Sequence, residues 1–444
     1  MMQHEKIVIL GAGLTGSLLA TLLAQKGYDV SIYEKRPDLR ITSAREGRSI
    51  NLALSHRGWR ALEQTQVLEE IRDVVIPMKG RMIHDLSGQL TFQPYGKSGQ
   101  AIYSVSRDRL NQLLLDAAEQ QGVEMYFSHL CKQADLEQNV IQVENLLTEE
   151  SRKITPDVLI GADGAFSTVR SAMLQTPRYN YSQAYIEHGY KELTIPANHN
   201  NDYALDAHAL HIWPRGKYML IALPNTDKSF TCTLFLPFEG ENSFAALQNG
   251  QQVIDFFNQT FPDTVALMPQ LEEEFFQNPT SNLVTIKCYP WSKFGKSLLI
   301  GDAAHAIVPF FGQGMNSGFE DCRIFTELMD TYRGNWKALL EHFQALRKPD
   351  ADAIAELALQ NFIEMRDLVA DPKFLKRKKI EAQLHELYPE RWIPLYTMVT
   401  FSDMRYSEAL AIGKRQDQIM KEVMEEYKDV NFENIDYQQI VDTL

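Results

Sequence analysis

The stretch KIVILGAGLTGSLLATLLAQKGYDVSIYEKR, Lys6 to Arg36, constrains the fold more than any other in the chain. An apolar run, a glycine turn, a helical run and a second β-branched run ending in an acid spell strand, turn, helix, strand. Gly11, Gly13 and Gly16 fit GxGxxG directly after the first strand. At that spacing the glycines allow a tight turn, close approach of a pyrophosphate and close helix packing. The helix start offers free N–H groups and the positive end of a dipole to phosphates. Glu34, about 20 residues on, stands where an acid accepts hydrogen bonds from adenosine ribose hydroxyls. It disfavours a 2′-phosphate, with Lys35 and Arg36 pulling the other way, so this stretch is a poor site for NADPH and leaves both FAD and NAD open.

Composition narrows the class of protein. A chain of 444 residues is too long for one ordinary core, so two domains or one domain with a large insertion are expected. The formal net charge of -14 argues against a nucleic-acid partner, which needs a dense basic face. The first strand begins too early to leave room for a signal peptide, and no run of roughly 18 apolar residues encodes a spanning helix. The acidic end, YKDVNFENIDYQQIVDTL, is not suited to anchor in a bilayer. Cys131, Cys232, Cys288 and Cys322 are far apart without a CxxC spacing, which fits reduced thiols better than disulfides or zinc. A cytoplasmic protein is expected.

Strand-like runs (DVSIYE, SINLAL, AIYSVS, VEMYF) alternate with helical patterns to about Ile160, as an α/β layer requires. HALHIW, YMLIALP, FTCTLFLPF and NLVTIKCY form a different, sheet-rich region. SLLIGDAAHA returns to strand-to-turn character, and the remainder is mainly helical, with Pro349, Pro372, Pro389 and Pro394 as expected helix starts or breaks. The expected organisation is a Rossmann-like α/β nucleotide-binding domain in two parts, 1–183 and 291–345. A β-sheet domain over 184–290 interrupts it, and a helical C-terminal part covers 346–444.

Two later stretches decide between the nucleotides. VLIGADGAFSTVR and SLLIGDAAHAIVPFFGQGMNSGFED each set an acid, Asp163 or Asp302, in a glycine-tight turn after an apolar strand. Such an acid can bind a polyol, and FAD has a ribityl chain that NAD lacks. GQGMNSG follows Pro309, Phe310 and Phe311 rather than a strand, so it reads as a helix start whose amides near Gly314, Met315 and Asn316 would stabilise negative charge on the flavin's N1/O2 side. Together the three motifs resemble those of the flavoprotein aromatic hydroxylases, the class A single-component monooxygenases. That resemblance implies FAD as cofactor and NADPH as a transient co-substrate without a second nucleotide-binding domain. It further implies cofactor contacts from Leu14, Thr15, Lys35, Arg36, Ala53 and Arg107.

Within that family, GRMIHDLSGQLTFQPYGKSGQAIYSVSRDRLNQLLLDAA, LHIWPRGKYMLIALPNTDKSFTCTLFLPF, PFFGQGMNSGFEDC, NFIEMRD and PLYTMVTFS resemble the branch that hydroxylates L-kynurenine at ring position 3. The resemblance implies a reaction with NADPH and O2 through a C4a-hydroperoxide of the flavin. Arg81 offers a forked, charge-assisted pair to an amino-acid carboxylate. Tyr95, Asn361 and Tyr396 match the family's other polar substrate contacts. Leu210, Met219, Ile221, Leu223, Phe235, Pro309 and Phe310 match its apolar ring pocket, and taken alone they read as alternating sheet core. His305 has no neighbours at metal-ligand spacing, no metal is expected, and no side chain is assigned as an obligatory acid or base. The alternatives left open are a related hydroxylase of another aromatic acid and a flavin-binding sensor without turnover.

Overall fold

The computed structural model describes residues 5–41, 51–96, 99–365, 372–427 and 435–444. Parts of several stretches quoted above lie outside the described residues: Ser49 and Ile50, Lys97 and Ser98, Arg366 and Asp367, and 428–434.

The apolar run of the first strand, Lys6–Leu10, buries Ile7, Val8 and Ile9 completely, as a strand covered on both faces must. It is the fourth of six strands, in the order Ser292–Lys293, Ser297–Leu299, Val158–Gly161, Lys6–Leu10, Asp29–Tyr33 and Glu124–Tyr126. All neighbours pair in parallel except the first two. Parallel neighbours need crossovers, and Leu14–Gln25 is the helix that carries the chain from the first strand to the second. The remaining strands of this sheet come from far along the chain, so the nucleotide-type layer is assembled discontinuously.

The second large sheet has seven strands, in the order Ser281–Tyr289, Asn180–Ile195, Phe230–Pro237, Met219–Pro224, Ala209–Pro214, Gly80–His84 and Leu90–Pro94. Its last two strands come from the first hundred residues, well before the stretch that the β-branched pattern sets apart. Gly80–His84 joins in parallel to Ala209–Pro214, with Arg81 opposite Leu210, and every other pairing is antiparallel. Strand alternation gives the sheet two apolar faces. One, with Leu220, Ala222, Cys232 and Leu234, packs on the helices Gly250–Thr260 and Leu271–Gln277. The other carries Met219 and Phe235 into a core shared with Phe310, Phe311 and the C-terminal helices.

Pro372 begins the helix Pro372–Leu387 and Pro394 precedes Leu395–Thr400, as expected. Pro349 neither starts nor breaks a helix: it lies inside Trp336–Ile363, which runs for 28 residues. An interior proline costs about 3 kcal/mol. Here the flanking turns bury Leu340, Phe343, Ala351 and Ile354, and Arg405 Nη2 donates to the carbonyl of Leu346 at 2.6 Å, so tertiary packing overrides the local preference. Among the described residues no helix is long and apolar enough to cross a membrane.

Candidate active site

The three glycines of the first turn do three different things. Gly11 has φ +100°, and a Cβ there would lie 2.5 Å from the Ala162 carbonyl oxygen, so it lets two strand ends meet. A Cβ on Gly16 would lie 2.0 Å from the Gly11 carbonyl oxygen, so it lets the helix close on the turn. Gly13 has nothing within 4 Å of such a Cβ, and it faces a cavity of about 760 Å³. No side chain caps the helix that begins there, so its first amides point to this open space.

The cavity is long. From Gly11, Gly13, Leu14 and Thr15 its wall passes Glu34, Lys35 and Arg36, then Ala53, Arg107, Asp163 and Asp302, to Gly314 and Met315. Glu34 Oε2 accepts from the Ala12 amide at 2.9 Å, and Oε1 accepts from the Arg36 amide and Nε, each at 2.9 Å. Burial alone would raise this carboxyl, but the Arg36 hydrogen bonds and charge outweigh it and hold Glu34 below the usual range. Asp163 goes the other way. Its burial pushes the carboxyl up despite hydrogen bonds from Ser167 and from the amides of Thr168 and Val169. Oδ2 takes the Thr168 amide at 2.7 Å, while the buried Oδ1 has no partner. Asp302 opens a four-residue helix, Asp302–His305, and is exposed where it meets the cavity. Gly314–Thr331 also starts without a side-chain cap, after Gly312 in the left-handed region at φ +66°.

These features fit FAD. An orphaned carboxylate oxygen suits a hydroxyl donor, the space at Gly13 suits a pyrophosphate, and two uncapped helix starts suit negative charge.

Past Phe310 and Phe311 the same cavity reaches the inner face of the seven-stranded sheet, where Leu210, Met219, Ile221, Leu223 and Phe235 form an apolar wall with Pro309 and Phe310. At one end of it lies Arg81. Its guanidinium stacks over the Tyr396 ring, 4.6 Å from the centroid, with Tyr95 at 5.8 Å. Among the described residues no acidic side chain forms an ion pair with this cation; the polar groups beside it are the hydroxyls of Tyr396 and Tyr95, and its Nε is buried without a partner. Burial would lower Arg81, but the electron-rich tyrosines beside it and the more distant Glu364 raise it instead, so it stays charged.

Four residues singled out in the sequence are not on the cavity wall. Gly16 is packed behind the turn. Asn316 has its side chain fully engaged, donating to the carbonyls of Ala53 and Gly312 at 2.9 and 2.8 Å and accepting from the Ser55 amide at 2.9 Å. Tyr95 sits behind Tyr396, with ring centroids 5.4 Å apart. Asn361 donates to the Phe310 carbonyl at 2.6 Å, which ties the long C-terminal helix to the aromatic segment. Residues the sequence reading passed over also line the cavity: Tyr190, Thr233, Phe311, Gln313 and Met365. Thr233 was within reach, since it lies two residues from Phe235 on one strand face. His305 is engaged as well: its Nε2 lies 2.5 Å from Asp321 Oδ2, in a buried network with Arg347, Glu320 and Arg57. No cluster among the described residues could hold a metal ion.

A family described as an FAD binding domain matches residues 4–358. The kynurenine 3-monooxygenase of Flavobacterium psychrophilum is 53% identical over 424 residues, covering 96% of this chain and 94% of that protein. The chain belongs to the kynurenine 3-monooxygenase family of FAD-binding hydroxylases. Members from distant organisms are also close: that of Dictyostelium discoideum is 45% identical, over 98% of this chain and 96% of its own. That of Sus scrofa is 45% identical, over 94% and 88%. Among solved structures, 2-methyl-3-hydroxypyridine-5-carboxylic acid oxygenase shares the fold at a TM-score of 0.67 and 19% identity, over 83% of this chain and 95% of that one.

Proposed function

We propose that this chain hydroxylates the ring of L-kynurenine at position 3, ortho to its amine, using FAD, NADPH and O2 and yielding 3-hydroxy-L-kynurenine, NADP+ and water. The observation that carries the reading is Arg81. A cation half-buried between aromatic rings, with no ion-paired acid among the described residues, stands at one end of an apolar wall, inside a cavity that begins at a nucleotide-type turn. A carboxylate at one end of a flat, mostly apolar ligand supplies what that arrangement lacks.

Bound FAD supplies the chemistry that no side chain here can, namely reduction by NADPH, activation of O2 and delivery of one oxygen atom to the ring. The protein's part is holding and drying. The amides around Gly13, Leu14 and Thr15 take the pyrophosphate, and Glu34 takes the adenosine ribose. Asp163 and Asp302 take hydroxyls of the ribityl chain, with Lys35, Arg36, Ala53 and Arg107 flanking the cofactor. Amides near Gly314, Met315 and Asn316 hold negative charge at the flavin edge. Arg81 pairs with the amino-acid carboxylate, and Tyr396 and Tyr95 complete its surroundings. Asn361 holds the Phe310 carbonyl and so the aromatic segment against the ring. The C-terminal helices bearing Met365 and Tyr396 exclude water, and no side chain is needed as an obligatory acid or base. Four free, buried thiols support a reducing cytoplasm as the site of action.

The test is purification, a flavin spectrum, and NADPH consumption with L-kynurenine and with a panel of other aromatic acids, the product being identified in each case. Yellow protein and kynurenine-dependent consumption coupled to the 3-hydroxy product are expected. A chain that binds no FAD, or couples only with another aromatic acid, overturns the reading.

A further inference from the structure

The three central strands of the seven-stranded sheet present one polar side chain among apolar ones on the cavity wall. From the three central strands, Ala209–Pro214, Met219–Pro224 and Phe230–Pro237, the residues lining the cavity are Leu210, Met219, Ile221, Leu223, Phe235 and Thr233. Thr233 is 8% exposed, and its hydroxyl makes no hydrogen bond within the chain. That hydroxyl is open to the cavity, and a ligand that closed around it without offering a partner would leave it unpaired at a cost of about 1 to 3 kcal/mol, a cost that valine in the same volume would not carry. The hydroxyl is therefore available to a ligand in the cavity.

Its position says what that is. Arg81 stands opposite Leu210, Ile212 opposite Ile221, and Ile221 opposite Thr233, so Thr233 is three strands across and one two-residue step along from Arg81. With strands about 4.8 Å apart and about 3.4 Å per residue, the two Cα atoms are roughly 16 Å apart. After the extended arginine has taken its share, the gap suits one amino acid bearing a substituted aromatic ring. Two residues beyond Thr233, Phe235 packs on Phe310 with ring centroids 4.9 Å apart, so the ring end of the ligand is bounded by the aromatic segment.

We propose that the Thr233 hydroxyl is the specificity element for the ring: its Oγ1 accepts a hydrogen bond from an arylamine N–H of a ligand whose carboxylate is held by Arg81. This rests on the function proposed above and adds the feature by which the site tells an aminoaryl ketone from the same ketone without its ring amine. A site built to pair a substrate N–H rejects the analogue lacking it, because the buried hydroxyl is then left unpaired.

The test uses FAD-loaded full-length protein and measures dissociation constants, from the change in the flavin spectrum, for L-kynurenine and for its analogue lacking the ring amine. Wild type is expected to prefer kynurenine. Thr233→Val should lose about fivefold to tenfold in kynurenine affinity while holding the analogue as well as or better than before, so that the preference collapses. Thr233→Ser, which keeps the hydroxyl and loses the methyl, should retain the preference. An unchanged ratio of the two constants in Thr233→Val, or a ratio lost equally in Thr233→Ser, overturns the proposal while leaving kynurenine as substrate. A wild type that does not bind kynurenine overturns both readings, and that control is visible before any variant is made.

Discussion

The two halves of the cavity are built on opposite plans. At the nucleotide end, specificity is written in backbone: glycines that permit close approach, uncapped helix starts, and acids held by neighbouring amides. At the sheet end it is written in side chains spaced across strands that meet only in the folded chain, with Arg81 recruited from a strand more than a hundred residues before its neighbour Leu210. A backbone-built site fails all at once when a Cβ is added. A side-chain-built site loses one contact at a time.

The largest effect should separate the glycines from one another. Gly16→Ala drives a Cβ into the Gly11 carbonyl and should cost about 3 kcal/mol or more, with loss of both flavin and melting temperature. Gly13→Ala meets no protein atom and should leave the flavin-free protein near its wild-type melting temperature while flavin affinity falls. Thermal unfolding beside flavin content reads both. Equal losses of stability in the two variants would remove the distinction between a packing glycine and a ligand-facing one.

At the sheet end, Arg81→Ala should weaken L-kynurenine by about 1.5 to 3 kcal/mol, roughly one to two decades in affinity, with FAD content unchanged. Arg81→Lys should recover only part of this, since lysine keeps the charge and loses the planar fork. Spectral titration of the flavin-loaded variants measures it. Unchanged affinity in Arg81→Ala would place the carboxylate elsewhere.

The smallest effect concerns two acids of the nucleotide end. Glu34 is held below its usual range, so its contribution to stability is present above the unfolded value near 4.5 and is lost as pH falls through the lower folded value. Asp163 is raised by burial, so the folded protein takes up its proton first, and the stability it subtracts at neutral pH returns as pH falls through the raised value toward 3.8. Flavin-free Asp163→Asn should therefore be more stable than wild type at pH 7, with the difference shrinking on acidification. Urea unfolding at several pH values checks this; a difference independent of pH would mean that burial of the charge is not the cause.

The same contrast explains what could be read from the chain. The nucleotide layer was legible because each of its signals is local: strand, glycine turn, helix and acid lie within Lys6–Arg36. The sheet wall was legible only through family resemblance, since Leu210, Ile221 and Phe235 read alone as alternating core. That Gly80–His84 pairs with Ala209–Pro214 is a non-local register that no local pattern encodes. Asn361 was recognisable as belonging to the site region, but its bond to the Phe310 carbonyl depends on how two distant helical segments meet. Pro349 shows the reverse failure, a strong local signal overruled by packing. Thr233 carried no special mark in sequence, because threonine is common in strands; what sets it apart is a hydroxyl without a partner.

The central claim is that both ends belong to one cavity, joined by the segment from Pro309 to Gly314. If so, FAD and L-kynurenine share a wall, and each should tighten the other by the same factor, as linkage requires. Calorimetric titration of L-kynurenine into FAD-loaded protein and into flavin-stripped protein verified as folded by circular dichroism measures that factor directly. The account predicts that kynurenine binds at least about tenfold more tightly to the loaded protein, a coupling of about 1.4 kcal/mol. Equal affinity for the two forms would contradict it.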